Sequence, residues 1–214
     1  MKEKKKVLVI SVHPDDETLG CGGSILKHLG QGDEVHCVFI TGGNIYQRQL
    51  IDNINALYGF TSIITLDFKE LHLHEMNELI EALSKIVSIV QAQVLYIPNR
   101  SDAHSDHRAV FSAIMACSKN FRYPFIEQIL MCEVISETDF APILGENTFS
   151  PNYFIDISEV FIKKIEILKM FGSELLPYPM TRNQSAIEAL NRYRGTLINA
   201  EYAEAFMSIK TIVR

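Results

Sequence analysis

Apolar positions along the chain alternate between two periods, and each change marks an element. Val7–Val12 is a compact Val/Ile run, the pattern of a strand covered on both faces. Leu19–Leu29 follows as a helix after a turn. Glu34–Thr41 is a second strand, closed by Gly42 and Gly43, and Gln47–Leu57 a helix ending near Gly59. Ser62–Leu66 is a third strand. Glu75–Val90 is an amphipathic helix with Leu79, Leu83, Ile86 and Val90 at helical spacing. Gln93–Ile97 is a fourth strand, stopped by Pro98, and Asp106–Ser118 a helix. This β-α-β-α rhythm predicts an α/β fold: a Rossmann-like, mostly parallel sheet with helices on both faces.

Beyond residue 120 the rhythm changes. Gln128–Ile135 reads as a strand, Asn147–Asn152 as turns and Tyr153–Ile157 as a short strand. Ser158 or Asp156 is placed to cap a helix running through Met170. Pro177 and Pro179 mark a loop, Ser185–Tyr193 is a further helix, and Ala200–Arg214 fits either helix or strand. No repeat, low-complexity tract or long linker divides the chain, so one domain over residues 1–214 is expected.

Composition narrows the class. Hydrophobic residues make up 47% and charged ones 21% of the 214 residues, which excludes a disordered chain. Twenty Lys and Arg against 26 Asp and Glu give a net charge of -6, which argues against a nucleic-acid partner. No apolar run is long enough to span a bilayer. The opening MKEKKK-VLVISV is too short in its apolar part for a signal peptide and runs straight into HPDDE, so it reads as a basic tip before a buried strand. Cys21, Cys37, Cys117 and Cys132 form no C-x-x-C pair and read as reduced packing residues; a cytoplasmic protein is expected.

Chemistry concentrates in two loops. His13-Pro14-Asp15-Asp16-Glu17 directly follows the first strand, and Asp102-Ala103-His104-Ser105-Asp106-His107 follows the fourth. In an open parallel sheet both lie at strand carboxyl ends, where such folds bind ligands. A catalytic metal site needs three protein donors and an open position. His13 and Asp16 sit three apart on a turn fixed by Pro14, His107 supplies a third donor, and Asp15 is left to act on water. Two imidazoles and a carboxylate suit zinc and also ferrous iron. Read separately, each loop is also a turn with a helix cap; it is their joint occurrence after parallel strands that favours function. His28 and His36 lie in regular elements without acidic company, and His72 and His74 flank a helix start; these four read as structural or solvated. Leu19-Gly20-Cys21-Gly22-Gly23 lacks both the dinucleotide and the P-loop spacing, so its glycines read as close-packing or site-bordering positions.

The segment VLVISVHPDDETLGCGGSILKHLGQGDEVHCVFITGG resembles the opening of the PIG-L/LmbE-like family of zinc-dependent N-acetylglucosaminyl deacetylases. DAHSDHRAV resembles that family's second metal motif, and FIDISEVFIKKIEILKMFGSE and YAEAF its later, weaker signatures. The resemblance implies His13, Asp16 and His107 as metal ligands and Asp15 as general base. It implies His104 as the histidine that assists the tetrahedral intermediate or leaving group. Asp106 is implied as the acid that orients His104, and a carboxylate there is expected to raise its pKa. Arg48 is a loose match to a substrate-contacting arginine; Gly42, Gly43 and Asn44 border the same expected pocket. Ser105 and Ala103 depart from the family pattern. The implied function is metal-dependent removal of the N-acetyl group from a small-molecule amino-sugar conjugate, with zinc as cofactor and ferrous iron an option in the cell. A homo-oligomer is compatible with this reading. A deacylase of another amide or a longer acyl chain, and a non-catalytic sugar-binding protein on the same fold, stay open.

Overall fold

The computed structural model describes residues 3–69, 71, 74–172 and 174–213. The strands are β1 Lys6–Ser11, β2 Glu34–Phe39, β3 Ser62–Thr65, β4 Val94–Ile97, β5 Gln128–Cys132, β6 Tyr153–Asp156 and β7 Ala203–Thr211. The helices are α1 Asp16–Gly30, α2 Ile45–Tyr58, α3 Met76–Val90, α4 Ser105–Ala116, α5 Phe161–Leu168 and α6 Gln184–Thr196. One seven-stranded sheet runs β3-β2-β1-β4-β5-β7-β6. Its first five strands pair in parallel, and β7 pairs antiparallel with both β5 and β6. The expected α/β class, mostly parallel with helices on both faces, is the observed one.

Side-chain alternation explains the layers. In β1, Val7 and Val9 enter one core with α1, α2, α5 and α6, while Leu8 and Ile10 enter the other with α3 and α4. Chain order runs outward from β1 to β3 and then returns to β4 beside β1. This reversal is the switch point of an open sheet, and it brings the loops after β1 and β4 together.

Helix α1 is kinked at Cys21 (φ -146, ψ 21), so a second helical start follows. Glu204 of β7 accepts the main-chain N–H of Gly23 (2.7 Å) and Ser24 (2.8 Å) and the Ser24 hydroxyl (2.6 Å). A carboxylate at freed helical N–H groups is the favourable partner. Lys164 Nζ completes the junction at 2.8 Å from Glu204, donating also to the Leu19 carbonyl and to Asn191 (both 3.1 Å). Gly23 is required here: a Cβ would lie 2.6 Å from Ile157 Cγ2. The glycine-rich stretch is therefore a packing device.

Several boundaries differ from expectation for visible reasons. The strand expected over Gln128–Ile135 ends at Cys132, because Thr138 Oγ1 accepts the Val134 N–H and Ser136 turns at φ 74. Asp156 and Ser158 do not cap α5. Asp156 accepts the Ser158 N–H and hydroxyl in a local turn, and the helix begins after Val160. It stops at Leu168 rather than Met170 as i→i+3 bonds tighten the end. The tail resolves as strand β7, since antiparallel pairing between β5 and β6 buries its first half.

All four cysteines are free and buried. His28 does have acidic company: Asp33 lies 2.7 Å from Nδ1 across the tight α1–β2 turn. His36 bonds Ser62 (2.7 Å), and His74 pairs with Glu78 (3.1 Å) one helical turn on. His72 lies outside the described residues. Among the described residues, no helix is long and apolar enough to cross a membrane.

Candidate active site

The loop after β1 folds back on its own main chain. Asp16 Oδ2 accepts the His13 N–H (2.8 Å), which turns both side chains to one side. Asp15 sits between them at φ 145, ψ -29, a conformation L-residues seldom adopt and one that costs on the order of 1–3 kcal/mol. Glu17 supports it from beneath, accepting the Asp15 N–H (3.1 Å) and the Ser11 hydroxyl (2.9 Å). Burial pushes the Glu17 carboxyl up to about 7.

The loop after β4 meets this turn. His107 Nε2 lies 3.2 Å from Asp16 Oδ2, and His13 Nδ1 lies 3.5 Å from the same oxygen. Donors about 2.0–2.1 Å from a tetrahedral zinc are separated by roughly 3.3–3.4 Å, so these spacings fit a metal at the centre. Only three buried side-chain atoms among the described residues lack a hydrogen-bond partner; two of them are Asp16 Oδ1 and His107 Nε2. Buried polar atoms are ordinarily paired, and a cation between the rings and Asp16 would give His107 Nε2 the partner it lacks. His13, Asp16 and His107 thus form a cluster able to hold a metal ion.

The protonation pattern agrees with the donor set. Burial disfavours charge on His107, yet Asp16 and Asp102 outweigh it and hold the ring at about 11. His13 is likewise raised, Asp16 overcoming burial, while Asp16 itself is lowered well below the usual range by the two rings despite its burial. Protons on these rings are what a cation would displace. Burial and the neighbouring Asp16 push Asp15 well up, with Arg182 pulling the other way.

His104 and Asp106 are close to the cluster but joined differently from expectation. Asp106 Oδ2 faces His13 Nε2 at 3.4 Å, and it is the Asp106 main-chain N–H that donates to His104 Nδ1 (3.1 Å). His104 thereby caps α4. Burial and the neighbouring His13 lower the ring's pKa overall, outweighing Asp106, which does raise it as expected, and Glu137, which raises it too. With Nδ1 accepting, the neutral ring carries its hydrogen on Nε2.

The expected substrate residues are spread. Asn44 caps α2, accepting the Gln47 N–H (2.9 Å). Arg48 is exposed and paired with Asp67 at 2.9 Å. Gly43 admits that aspartate, since a Cβ would lie 2.0 Å from Asp67 Oδ1, and Gly42 turns at φ 139 beside Pro14. A cavity of about 300 Å³ opens beside Asp106 instead, walled by Leu71, Met76, Leu79 and Ala109 with His74 at its edge. None of Gly42, Gly43, Asn44 and Arg48 lines it.

Other contributors have weaker sequence signals. Asp102, fully buried, accepts from His107 Nδ1 (2.8 Å), Thr138 Oγ1 (2.8 Å) and Asn99 (3.1 Å), which leaves His107 Nε2 aimed at the cluster. Its place five residues before His107 was the available signal. Arg182, 167 residues beyond Asp15, donates to Asp15 Oδ2 (2.7 Å) and to Glu137 Oε1 (3.0 Å). No local motif marks Arg182, Glu137 or Thr138.

Comparison with known proteins agrees with this architecture. The PIG-L family profile, GlcNAc-PI de-N-acetylase, matches residues 8–118, which hold both loops. An uncharacterized deacetylase of Escherichia coli K12, YaiS, is 31% identical over 184 residues, covering 80% of this chain and 92% of that protein. The diacetylchitobiose deacetylase of Thermococcus kodakarensis is 25% identical, over 97% of this chain and 84% of its own length. The solved structure of N,N'-diacetylchitobiose deacetylase from Pyrococcus horikoshii superposes with a TM-score of 0.78 at 22% identity, over 98% of this chain and 85% of that one. The chain belongs to the PIG-L family.

Proposed function

We propose that this protein is a zinc-dependent N-deacetylase that releases acetate from an N-acetylglucosamine-type conjugate, its machinery carried by one domain over residues 1–214. The observation that carries the reading is the convergence of His13 Nδ1 and His107 Nε2 on Asp16 Oδ2, in a chain of the PIG-L family. The names of its diacetylchitobiose-deacetylase relatives support the sugar class.

His13, Asp16 and His107 hold the metal, with Asp102 orienting His107 from behind. Zinc fits the two-imidazole, one-carboxylate set and its tetrahedral spacing. When bound, the metal supplies a lowered water pKa and polarisation of the amide carbonyl. Asp15 Oδ1, which accepts no hydrogen bond among the described residues, takes the proton of the attacking water. His104 offers its Nε2–H to the oxygen that gains charge. Asp15 then returns its proton to the departing amine. Gly42, Gly43 and Asn44, with Arg48 in the first turn of α2, meet sugar hydroxyls, and the apolar-walled cavity beside Asp106 takes the bulk of the conjugate. Four unpaired thiols support a reducing compartment such as the cytoplasm.

Metal analysis of purified protein, followed by acetate release from N-acetylglucosamine conjugates and from N-acetyl amino acids at matched concentrations, tests the reading. One zinc per chain, lost in His107→Ala, and faster hydrolysis of the conjugates are expected. Faster hydrolysis of the amino acids would overturn the carbohydrate class, and stoichiometric metal retained in His107→Ala would overturn the ligand set.

A further inference from the structure

We propose that Arg182 is a positioning residue for Asp15: its guanidinium clamps the proposed base against Glu137 and fixes the direction from which that carboxylate takes a proton. The inference rests on Asp15 being the base.

Arg182 reaches the site from the opposite end of the chain. It immediately precedes Asn183, the N-cap of α6, in a segment that folds back on itself: the Leu176 N–H donates to the Arg182 carbonyl (2.9 Å). Thr181 and Ser136 hydroxyls meet at 2.5 Å and seat this segment on the turn after β5. From there one guanidinium nitrogen donates to Asp15 Oδ2 (2.7 Å), with Glu174 at 3.4 Å, and the other to Glu137 Oε1 (3.0 Å).

Glu137 continues the connection. Its Oε2 accepts the His104 N–H (3.2 Å), and its carbonyl accepts the Ala103 N–H (2.9 Å). One arginine therefore links the loop bearing the proposed base to the loop bearing the proposed oxyanion donor. The side chains of Arg182, Asp15 and Glu137 are 15%, 5% and 13% exposed, so water screens this bridge far less than a surface ion pair.

The geometry suits orientation. Asp15 holds an unfavourable backbone conformation, and its carboxylate could rotate about its own bonds. Anchoring Oδ2 removes that freedom and leaves Oδ1 as the free acceptor. A planar fork can bridge two carboxylates lying in different directions; a lysine ammonium is a single point charge on a flexible stem and does so poorly. An arginine that only pinned a loop would alter stability and substrate affinity, with an effect indifferent to Asp15. An arginine acting through Asp15 loses its effect once Asp15 can no longer accept a proton.

The test uses the zinc-loaded full chain and the N-acetylglucosamine conjugate it turns over fastest. Arg182→Met is expected to keep stoichiometric zinc and to lower kcat about 10²-fold with KM within about threefold. Arg182→Lys should remain about tenfold below the parent. In an Asp15→Asn background, Arg182→Met should change kcat less than about twofold, the non-additivity of residues acting as a unit. A parental kcat in Arg182→Met, a change in KM alone, or the full loss repeated in the Asp15→Asn background overturns the proposal. Should Arg182→Met fail to fold, Arg182→Lys alone and over Asp15→Asn decides it by the same comparison. An inactive Asp15→Asn beside a fully active Arg182→Met removes this inference only. A fully active Asp15→Asn, or a parent that releases no acetate from any conjugate, removes the underlying function as well.

Discussion

Replacing one member of the Lys164–Glu204 pair should destabilise the protein more than any comparable surface change. Lys164 is 0% and Glu204 3% exposed, so neither charge is compensated by water. Breaking a buried pair from one side typically costs about 3–5 kcal/mol, because the remaining charge is stranded. The two sides are not equivalent. In Lys164→Met, Glu204 keeps three donors from Gly23 and Ser24, which places the cost near the lower end, about 3 kcal/mol. In Glu204→Gln, the ammonium keeps only the Leu19 carbonyl and Asn191, and the new amide NH2 group meets existing donors, so about 4–5 kcal/mol is expected. For a chain of this size each kcal/mol lowers Tm by roughly 2–4 °C, giving a fall of about 6–20 °C. Urea and thermal unfolding at one fixed metal concentration measure it, since bound metal adds its own stabilisation. The double variant Lys164→Met/Glu204→Gln should be less damaged than the sum of the singles by at least about 1 kcal/mol. Single variants within about 1 kcal/mol of the parent, or strictly additive losses, would refute the buried-pair account.

Four further outcomes follow from the geometry. Asp102→Asn removes the acceptor that orients His107 and should weaken zinc binding about 10–100-fold in chelator competition; unchanged affinity would deny it that part. His104→Ala and Asp106→Asn should each lower kcat, and because the Asp106 carboxylate faces His13 while only its main-chain N–H holds His104, the two losses should multiply in the double variant; a double variant no worse than the worse single one would mean the two side chains act as a unit. Gly23→Ala forces a methyl against Ile157 and should cost about 1–3 kcal/mol in urea unfolding, and a neutral result would contradict the close approach. Arg48→Ala should raise KM for anionic conjugates more than for neutral ones; equal effects would leave Arg48 to its ion pair with Asp67.

The parallel half of the fold was legible because its central strands β1 and β4 are covered on both faces and each helix carries one apolar stripe. Val7 to Ile10 reads as a continuous apolar run, and it proves to feed two cores by alternation. The metal-ligand cluster was legible for a related reason. Its donors sit within a few residues of strand ends, and the return of the chain from β3 to β4 forces those ends together. The C-terminal strand was not legible. Ala203–Thr211 carries a buried glutamate, and its pairing depends on β5 and β6 being already in place.

What escaped sequence reading is the set of contacts that join distant segments. Lys163 and Lys164 are chemically identical neighbours, yet the first is 42% exposed in its side chain and the second 0%. Phe161, Lys164, Ile165 and Leu168 share one helical stripe, so periodicity does put Lys164 inward; composition alone makes it look solvated. No such clue exists for Arg182, which lies in an irregular segment where neither period applies. The chemistry divides along the same line. The atoms proposed to hold the metal and take the proton are local and patterned, whereas the groups that aim them, Arg182, Glu137 and Thr138, arrive from segments that meet only in the folded chain. Anchoring of Asp15 and support of Asp102 therefore depend on segments beyond β5, while the donor set, and Asp102 that aims His107, belong to the loops after β1 and β4. Damage at Glu204, which braces the kink of the helix that begins at Asp16, should accordingly reach the metal site as well as the core.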